Sequence, residues 1–155
     1  MKCLFCSFLA GKTKNHHNGY PFSLVYQTKT IAIFLSSDTP VNKDAHLLVI
    51  PKPHFSTLTS VPTKIMNELI KSVKQAGQVL KKRHAGFNVL LNNGPAAGQF
   101  IPHLHFHIIP RNPHDNIQIE KWKRQKISPQ QFTQLSLRTK NDFQRIKRTP
   151  KKGAL

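Results

Sequence analysis

Histidines alternate with apolar residues in the segment His-Leu-His-Phe-His-Ile-Ile, which occupies residues 103–109. Side chains of a β-strand point to opposite faces in turn. His103, His105 and His107 would therefore share one face, while the apolar residues between them point into a core. The segment predicts a strand over residues 104–109 with three imidazoles side by side.

The histidines alone leave three chemical interpretations open. They could cluster by chance, or all three could bind one zinc ion, although same-face residues lie about 6.5–7 Å apart and would need distortion to reach it. In the third interpretation, a neutral imidazole attacks phosphorus and forms a phosphohistidine that water later resolves. A second, protonated imidazole would stabilise phosphoryl oxygens or protonate the leaving group, and no catalytic metal is required.

The rest of the first 110 residues predicts an α+β domain. Strand-forming runs occupy residues 23–27, 30–35, 46–50 and 87–91, and the continuous apolar run at 46–50 is expected near the centre of the sheet. An apolar stripe from Ile65 to Leu80 predicts one long helix with Ser60 as its N-cap. Together with the histidine segment, this order predicts a single domain with a largely antiparallel sheet of about five strands.

Cysteine usage restricts the class of protein. The only two cysteines, Cys3 and Cys6, form a C-x-x-C pair near the N-terminus. This excludes a secreted disulfide scaffold and leaves a metal site, a redox pair or two small apolar residues. No apolar run approaches the roughly 20 residues that cross a bilayer, so we expect a soluble, cytoplasmic protein.

The charge is strongly unbalanced, with 24 Lys plus Arg against 6 acids and a formal net charge of +18. Such a surplus suggests a polyanionic partner, which could be nucleic acid, an anionic membrane surface or a phosphorylated substrate.

Residues 111–155 hold 12 basic and 3 acidic residues, a denser surplus than that of the first 110 residues. We therefore expect a domain over residues 1–111 and a basic extension over 112–155, which is partly helical from a capping box at Ser128 to Gln131 and frayed after Arg148.

Four segments together resemble the histidine triad family of nucleotide hydrolases and transferases. They are the histidine segment at 103–109, Cys-Leu-Phe-Cys at 3–6, His-Leu-Leu-Val-Ile-Pro-Lys-Pro-His at 46–54, and Asn-Asn-Gly at 92–94 with Ala-Gly-Gln at 97–99. Their order and spacing agree with the family over residues 3–111. The resemblance is strongest to the histidine triad nucleotide-binding branch and its zinc-containing bacterial relatives, and it implies a histidine triad fold.

The resemblance implies roles for three histidines. His105 corresponds to the nucleophile that attacks the α-phosphorus of a nucleotide and forms a nucleotidyl-histidine intermediate. His107 corresponds to the residue that contacts the phosphate and assists the leaving group. His46 corresponds to a supporting histidine beside the triad, although a buried histidine satisfied by backbone would explain it too.

A purine nucleotide site is also implied by the resemblance. Asn92, Gly98 and Gln99 match loop positions that line the phosphate site, where backbone can donate to an oxyanion. Asp38 matches the residue that binds the ribose hydroxyls, although it could instead be a turn residue before Pro40. The apolar wall against which the purine packs would consist of Leu4, Phe5 and Phe8, which core packing would explain equally well.

A structural zinc site is the implied role of the cysteines. In zinc-containing members the two cysteines, the histidine that closes the Pro-Lys-x-His segment and the first triad histidine bind the ion, which here are Cys3, Cys6, His54 and His103. Two thiolates and two imidazoles suit a closed structural site. One departure from the family concerns the active site, because Phe100 stands where close relatives have Ser or Thr.

The resulting hypothesis is a nucleotide hydrolase or nucleotidyl transferase. It would act at the α-phosphorus of a nucleoside phosphoramidate or a dinucleoside polyphosphate. Two alternatives remain: removal of adenylate from nucleic-acid ends, suggested by the basic extension, and a nucleotide-binding interaction module without turnover. The resemblance also implies a homodimer formed through the long helix and a sheet strand.

Overall fold

The computed structural model describes residues 3–38, 45–119, 121 and 125–148, so the predicted frayed end after Arg148 lies outside the described residues. The chain divides into two compact units after Ile117. Arg111, the last residue of the predicted domain, donates hydrogen bonds to the Asp115 carboxylate and to the Ile117 carbonyl. These bonds hold residues just beyond the predicted boundary in the first unit.

The first unit is built on one antiparallel sheet, as predicted. Its strands follow the order β1-β2-β3-β5-β4, and every neighbouring pair is antiparallel. The strands are β1 (Leu24–Gln27), β2 (Ile31–Leu35), β3 (Leu47–Pro51), β4 (Gly86–Leu91) and β5 (Phe106–Arg111). β3 is buried along its whole length, which confirms its predicted central place. The histidine segment enters its strand two residues later than predicted, so only His107 lies within β5.

Helix α2 (Thr63–Leu80) covers one face of this sheet. Its apolar stripe packs Leu69, Val73, Ala76 and Leu80 against the residues of β2, β3 and β5 that point to that face. Leu104, Phe106 and Ile108 belong to the same core, which confirms that the apolar residues of the histidine segment point away from the histidines. The prediction for Ser60 is wrong: Pro62 is the N-cap of α2, and Ser60 ends a short 3-10 helix, Leu58–Ser60.

The opposite face of the sheet is covered by a short N-terminal helix, α1 (Leu4–Leu9). Phe5 and Phe8 of α1 pack on Phe34, Leu48 and other apolar residues of β2 and β3. No helix was predicted for this segment, because six residues carry too little periodicity. The triad histidines lie on the α1 side, since the Phe5 ring contacts both His103 and His105.

Helix α3 (Pro129–Arg148) belongs to the second unit. Its capping box is confirmed, because the Ser128 N–H donates to Gln131 Oε1 at 2.8 Å and the Gln131 N–H donates to Ser128 Oγ at 3.2 Å. Large apolar side chains on α3 are exposed, namely Phe132, Leu135, Leu137, Phe143 and Ile146. Within the described residues, neither this helix nor any other is long and apolar enough to cross a membrane.

Candidate active site

A cavity of about 450 Å³ opens beside α1, on the histidine side of the sheet. Its volume is in the range of small-molecule sites. It is lined by Leu4, Phe5, His16, His17, Asn18, Ser36, Ser37, Asp38, Leu48, Phe100, Ile101, His105 and His107. A larger cleft between α2 and strands β1 and β2 has no histidine or carboxylate in its lining, whereas the smaller cavity is lined by four histidines and one aspartate.

His105 is held in one tautomer by the backbone that precedes it. Its Nδ1 lies 2.6 Å from the carbonyl oxygen of His103. A carbonyl oxygen can only accept, so Nδ1 carries the proton and Nε2 keeps its lone pair. Burial lowers the pKa of His105. The neutral, nucleophilic form is therefore favoured at physiological pH.

His107 is connected through His46 to the backbone of Asp38. His46 Nδ1 donates to the Asp38 carbonyl oxygen at 2.5 Å, which leaves His46 Nε2 as an acceptor for the Nδ1–H of His107 at 3.0 Å. Burial, followed by the neighbouring His105 and His46, lowers the pKa of His107 to about 3. His46 thus contacts both His107 and the Asp38 backbone, and its role beside the triad stays a prediction. His107 is neutral in the free protein, with Nε2 unprotonated.

The two cysteines, His54 and His103 form a compact cluster whose ligand atoms all lie within 4.8 Å of one another. His103 Nδ1 lies 3.4 Å from Cys3 Sγ and 3.5 Å from Cys6 Sγ, and His54 Nδ1 lies 3.4 Å from Cys6 Sγ. Ligands of a tetrahedral zinc ion with these atom types lie about 3.3–3.8 Å apart. The three sulfur–nitrogen distances of 3.4–3.5 Å fall in this range, and the four residues predicted to bind metal lie close enough together to share one ion.

The protonation states in this cluster also fit a cation. His103 Nε2 donates to the Pro51 carbonyl oxygen at 2.8 Å, so Nδ1 presents a lone pair to the cysteines. Burial and the neighbouring Cys3 raise the pKa of the Cys6 thiol. A bound cation would offset that effect and favour the thiolate.

The loop of residues 92–99 is braced by its own side chains. Gln99 is buried, its Nε2 donates to the Ser56 carbonyl and its Oε1 accepts the Gly94 N–H, each at 2.7 Å. Gly98 adopts a φ of +81°, which favours glycine. Its carbonyl accepts from Asn92 Nδ2, and its N–H donates to Pro95. The three residues predicted for the phosphate site stabilise this loop, and none is among the residues that line the cavity.

The predicted nucleoside contacts divide between cavity and core. Leu4, Phe5 and the exposed Asp38 line the cavity. Phe8 instead stacks on Phe22 with ring centroids 4.6 Å apart and is buried in the α1 core. The geometry places Phe8 behind the wall that Leu4 and Phe5 present.

Sequence reasoning missed one segment of the cavity wall. Residues 15–21 form a narrow loop closed by a bridge between Asn15 and Pro21, and Asn18 Nδ2 donates to the Ser37 carbonyl at 3.2 Å. His16, His17 and Asn18 reach the cavity from this loop. The adjacent histidines inside a Gly- and Pro-bounded loop were the one available signal, and they have no periodicity that assigns them to a site.

Comparisons with known proteins agree with this fold. A family model described as HIT domain, the histidine triad domain, matches residues 19–114. An uncharacterized HIT-like protein of Methanocaldococcus jannaschii is 39% identical over 110 residues, covering 70% of this chain and 78% of that protein. The adenosine 5'-monophosphoramidase HNT1 of Candida albicans is 33% identical over 115 residues, 70% of each chain.

A solved structure of a histidine triad protein has a similar fold. The crystal structure of the histidine triad nucleotide-binding protein from Candida albicans matches with a TM-score of 0.77 at 26% identity, covering 94% of this chain and 99% of that one. A five-stranded antiparallel sheet with the triad beside its α1 face defines the class of protein. The chain belongs to the HIT family.

Proposed function

We propose that the protein hydrolyses nucleotides at the α-phosphorus, with a nucleoside phosphoramidate or a dinucleoside polyphosphate as substrate and a nucleoside monophosphate as product. The observation that carries this proposal is the fixed tautomer of His105, which keeps the Nε2 lone pair available in a cavity shared with His107. The similarity to a relative named adenosine 5'-monophosphoramidase supports it.

In the first step, the lone pair of His105 Nε2 attacks the α-phosphorus. The bond from phosphorus to the leaving nitrogen or oxygen breaks, and its electron pair departs with the leaving group. The imidazole ring becomes cationic, and its Nδ1–H remains bonded to the His103 carbonyl, which stabilises that charge. His107 is neutral before substrate binds, and the phosphate charge favours its protonation, so that its Nε2–H can donate to the leaving atom.

In the second step, water attacks the phosphorus of the nucleotidyl-histidine. The bond between phosphorus and His105 Nε2 breaks, and its electron pair returns to the ring, which becomes neutral again. The water proton passes to His107 when its Nε2 is unprotonated. The His46 bond keeps the His107 ring oriented in both steps. Asp38, which is among the residues that line the cavity, would accept hydrogen bonds from the ribose hydroxyls through its carboxylate.

We further propose that Cys3, Cys6, His54 and His103 bind a structural zinc ion. The ligand spacing and the lone pair on His103 Nδ1 support this proposal. With four protein ligands the ion has no open position, so it would cross-link α1 to the histidine segment and take no part in the chemistry.

A homodimer is the third part of the proposal. β4 is an edge strand that pairs with β5 in unbroken register over six residues and exposes Val89. The other edge strand, β1, has a register shift between Leu24 and Tyr26, and such irregularities discourage pairing between chains. β4 is therefore the edge that we expect to pair with a second copy.

The experiment that tests the activity is mass-spectrometric trapping of the covalent intermediate. The protein is mixed briefly with an adenosine phosphoramidate, a diadenosine polyphosphate or an adenylated DNA end, and the adduct is mapped. We expect an adenylyl group on His105 with the first two substrates, and neither adduct nor turnover in His105→Ala. Full hydrolysis by His105→Ala would overturn the proposal.

Two further outcomes identify the alternatives. An adduct formed only with adenylated DNA, with steep salt dependence, would assign the protein to nucleic-acid ends. Nucleotide binding without an adduct from any substrate would make it a binding module. His107→Asn serves as the matched variant, because we expect it to slow both steps without removing the nucleophile.

A further inference from the structure

Phe100 is the most exposed large apolar side chain in the described part of the chain, with 89% of its surface accessible. It lines the same cavity as His105 and His107. Ligand sites are lined largely by apolar and aromatic side chains, so an exposed ring that shares a cavity with two triad histidines is a candidate for contact with a ligand.

The neighbours of Phe100 fix its outward position. Gln99 is anchored on one side by its bonds to Ser56 and Gly94. Ile101 is anchored on the other side, because it packs on the α1 core and its carbonyl accepts the His103 N–H at 2.8 Å. With both neighbours held inward, the ring of Phe100 cannot retract into the core. The rim of the cavity therefore includes an exposed aromatic ring on an anchored stretch of backbone.

The direction of the reaction relates this ring to one part of the substrate. His105 is buried, with 7% of its surface accessible, so it attacks from the floor of the cavity. In an in-line displacement at phosphorus the leaving group departs opposite to the nucleophile. It therefore points outward, toward the open side of the cavity, where Phe100 is exposed.

We propose that Phe100 is a specificity-determining residue that stacks on an aromatic leaving group, such as the second base of a dinucleoside polyphosphate or the ring of an aryl-substituted amine. The inference rests on the proposed function and adds the substrate class. A phenylalanine side chain has no hydrogen-bonding group, so it selects by ring contact. Stacking on a base is tolerant of base identity, since every base presents a flat face.

The test uses three adenosine phosphoramidates that differ only in the leaving amine: 2-phenylethylamine, 2-cyclohexylethylamine and methylamine. We expect the wild-type protein to prefer the phenyl substrate by about five- to tenfold in kcat/KM over each of the other two. Phe100→Ser and Phe100→Leu should reduce both preferences to about twofold or less, while Phe100→Trp should keep them. Leu137→Ser, which removes an exposed apolar residue on α3, is the control and should keep the preferences.

The other outcomes distinguish failure of the role of Phe100 from failure of the proposed function. Hydrolysis of all three substrates through His105 without a phenyl preference would overturn the role of Phe100 and leave the proposed function standing. Equal rates for the phenyl and cyclohexyl substrates, or a preference retained by Phe100→Leu, would replace stacking with simple apolar contact and overturn the inference. No hydrolysis and no His105 adduct with any amine would overturn the proposed function and the inference together. Melting temperatures within about 2 °C of wild type would confirm that the Phe100 variants are folded.

Discussion

At the scale of single residues, backbone carbonyls determine what each histidine can do. His103, His105 and His46 each donate one ring N–H to a carbonyl oxygen, of Pro51, His103 and Asp38 respectively. The acceptors fix the tautomers, and these suit the three roles that we propose, a metal ligand, a nucleophile and a positioning group. The sequence shows the histidines and, through the resemblance, their roles. It does not show the carbonyls, because Pro51 and His103 are neither adjacent in the chain nor linked by any pattern.

The lowered pKa of His105 leads to a prediction for the pH dependence of adduct formation. An imidazole with a pKa of about 6.5 would be roughly three-quarters protonated, and unable to attack, at pH 6. Burial lowers the pKa of His105, so the neutral fraction persists to lower pH. We expect the single-turnover rate of adduct formation from a diadenosine polyphosphate to keep more of its pH 8 value at pH 6 than the roughly one quarter that an unshifted imidazole would keep.

Quenched-flow measurement from pH 5 to pH 8 would check this expectation. The leaving group of that substrate is a nucleoside polyphosphate, which limits the contribution of leaving-group protonation. A rate that halves near pH 6.5 would show that the nucleophile titrates like an exposed histidine, and would contradict the effect of burial.

At the scale of elements, the short helix α1 contributes residues both to the cavity and to the Cys-His cluster. A helix of six residues, here with no side-chain cap, has little stability of its own. Phe5 and Phe8 pack it on the sheet, and its N-cap Cys3 and its own Cys6 enter the Cys-His cluster. The sequence indicated the cysteines and the apolar residues but no helix, because α1 is stabilised by contacts with residues far away in the chain.

Removal of the proposed zinc ion should loosen α1. We expect about one zinc per chain in the purified protein, and loss of zinc in Cys3→Ser and after treatment with a strong chelator. The melting temperature should fall, and hydrogen exchange of α1 should accelerate more than that of α2. Because Leu4 and Phe5 line the cavity, KM for the nucleotide should also rise.

Elemental analysis and hydrogen-exchange mass spectrometry would provide these measurements, with Ser7→Ala in the same helix as the control. A protein without bound metal whose α1 exchange is unchanged by Cys3→Ser would contradict the proposed zinc site.

At the scale of the whole molecule, the order of the strands determines which surfaces are available. β4 ends the sheet on one side and β1 on the other, although they come fourth and first in the chain. The sequence predicted both strands, but strand order depends on which pairings bury the most apolar surface. The choice of β4 as a pairing edge therefore comes from the structure.

We expect sedimentation velocity at micromolar concentration to show a dimer for the wild-type protein. Val89→Lys on β4 should shift it toward monomer, because a charge would be buried in the interface. Val25→Lys, at a similarly exposed position on the β1 edge, is the matched control and should leave the dimer intact. A monomeric wild type, or equal effects of the two substitutions, would contradict the proposed interface.

The excess of basic over acidic residues is also a property of the whole molecule. α3 carries five basic residues and a single acidic residue, Asp142. A nucleotide substrate would explain positive charge near the triad. It does not explain the high density of basic residues after residue 117. Contact of the extension with a polyanion stays a prediction from the sequence.

The sequence by itself predicted the α+β class, the five strands, the long helix, the α3 capping box and the positions of the triad histidines. These follow from local periodicity and from motifs that are contiguous in the chain. The tertiary structure decided the tautomers, the 3.4–3.5 Å spacing of the Cys-His cluster, the bracing role of Gln99 and the position of Phe100 at the cavity rim. Except for the bond between His105 and the nearby His103 carbonyl, these features depend on atoms from separate segments, and burial and directional hydrogen bonds between such atoms arise only when the chain folds.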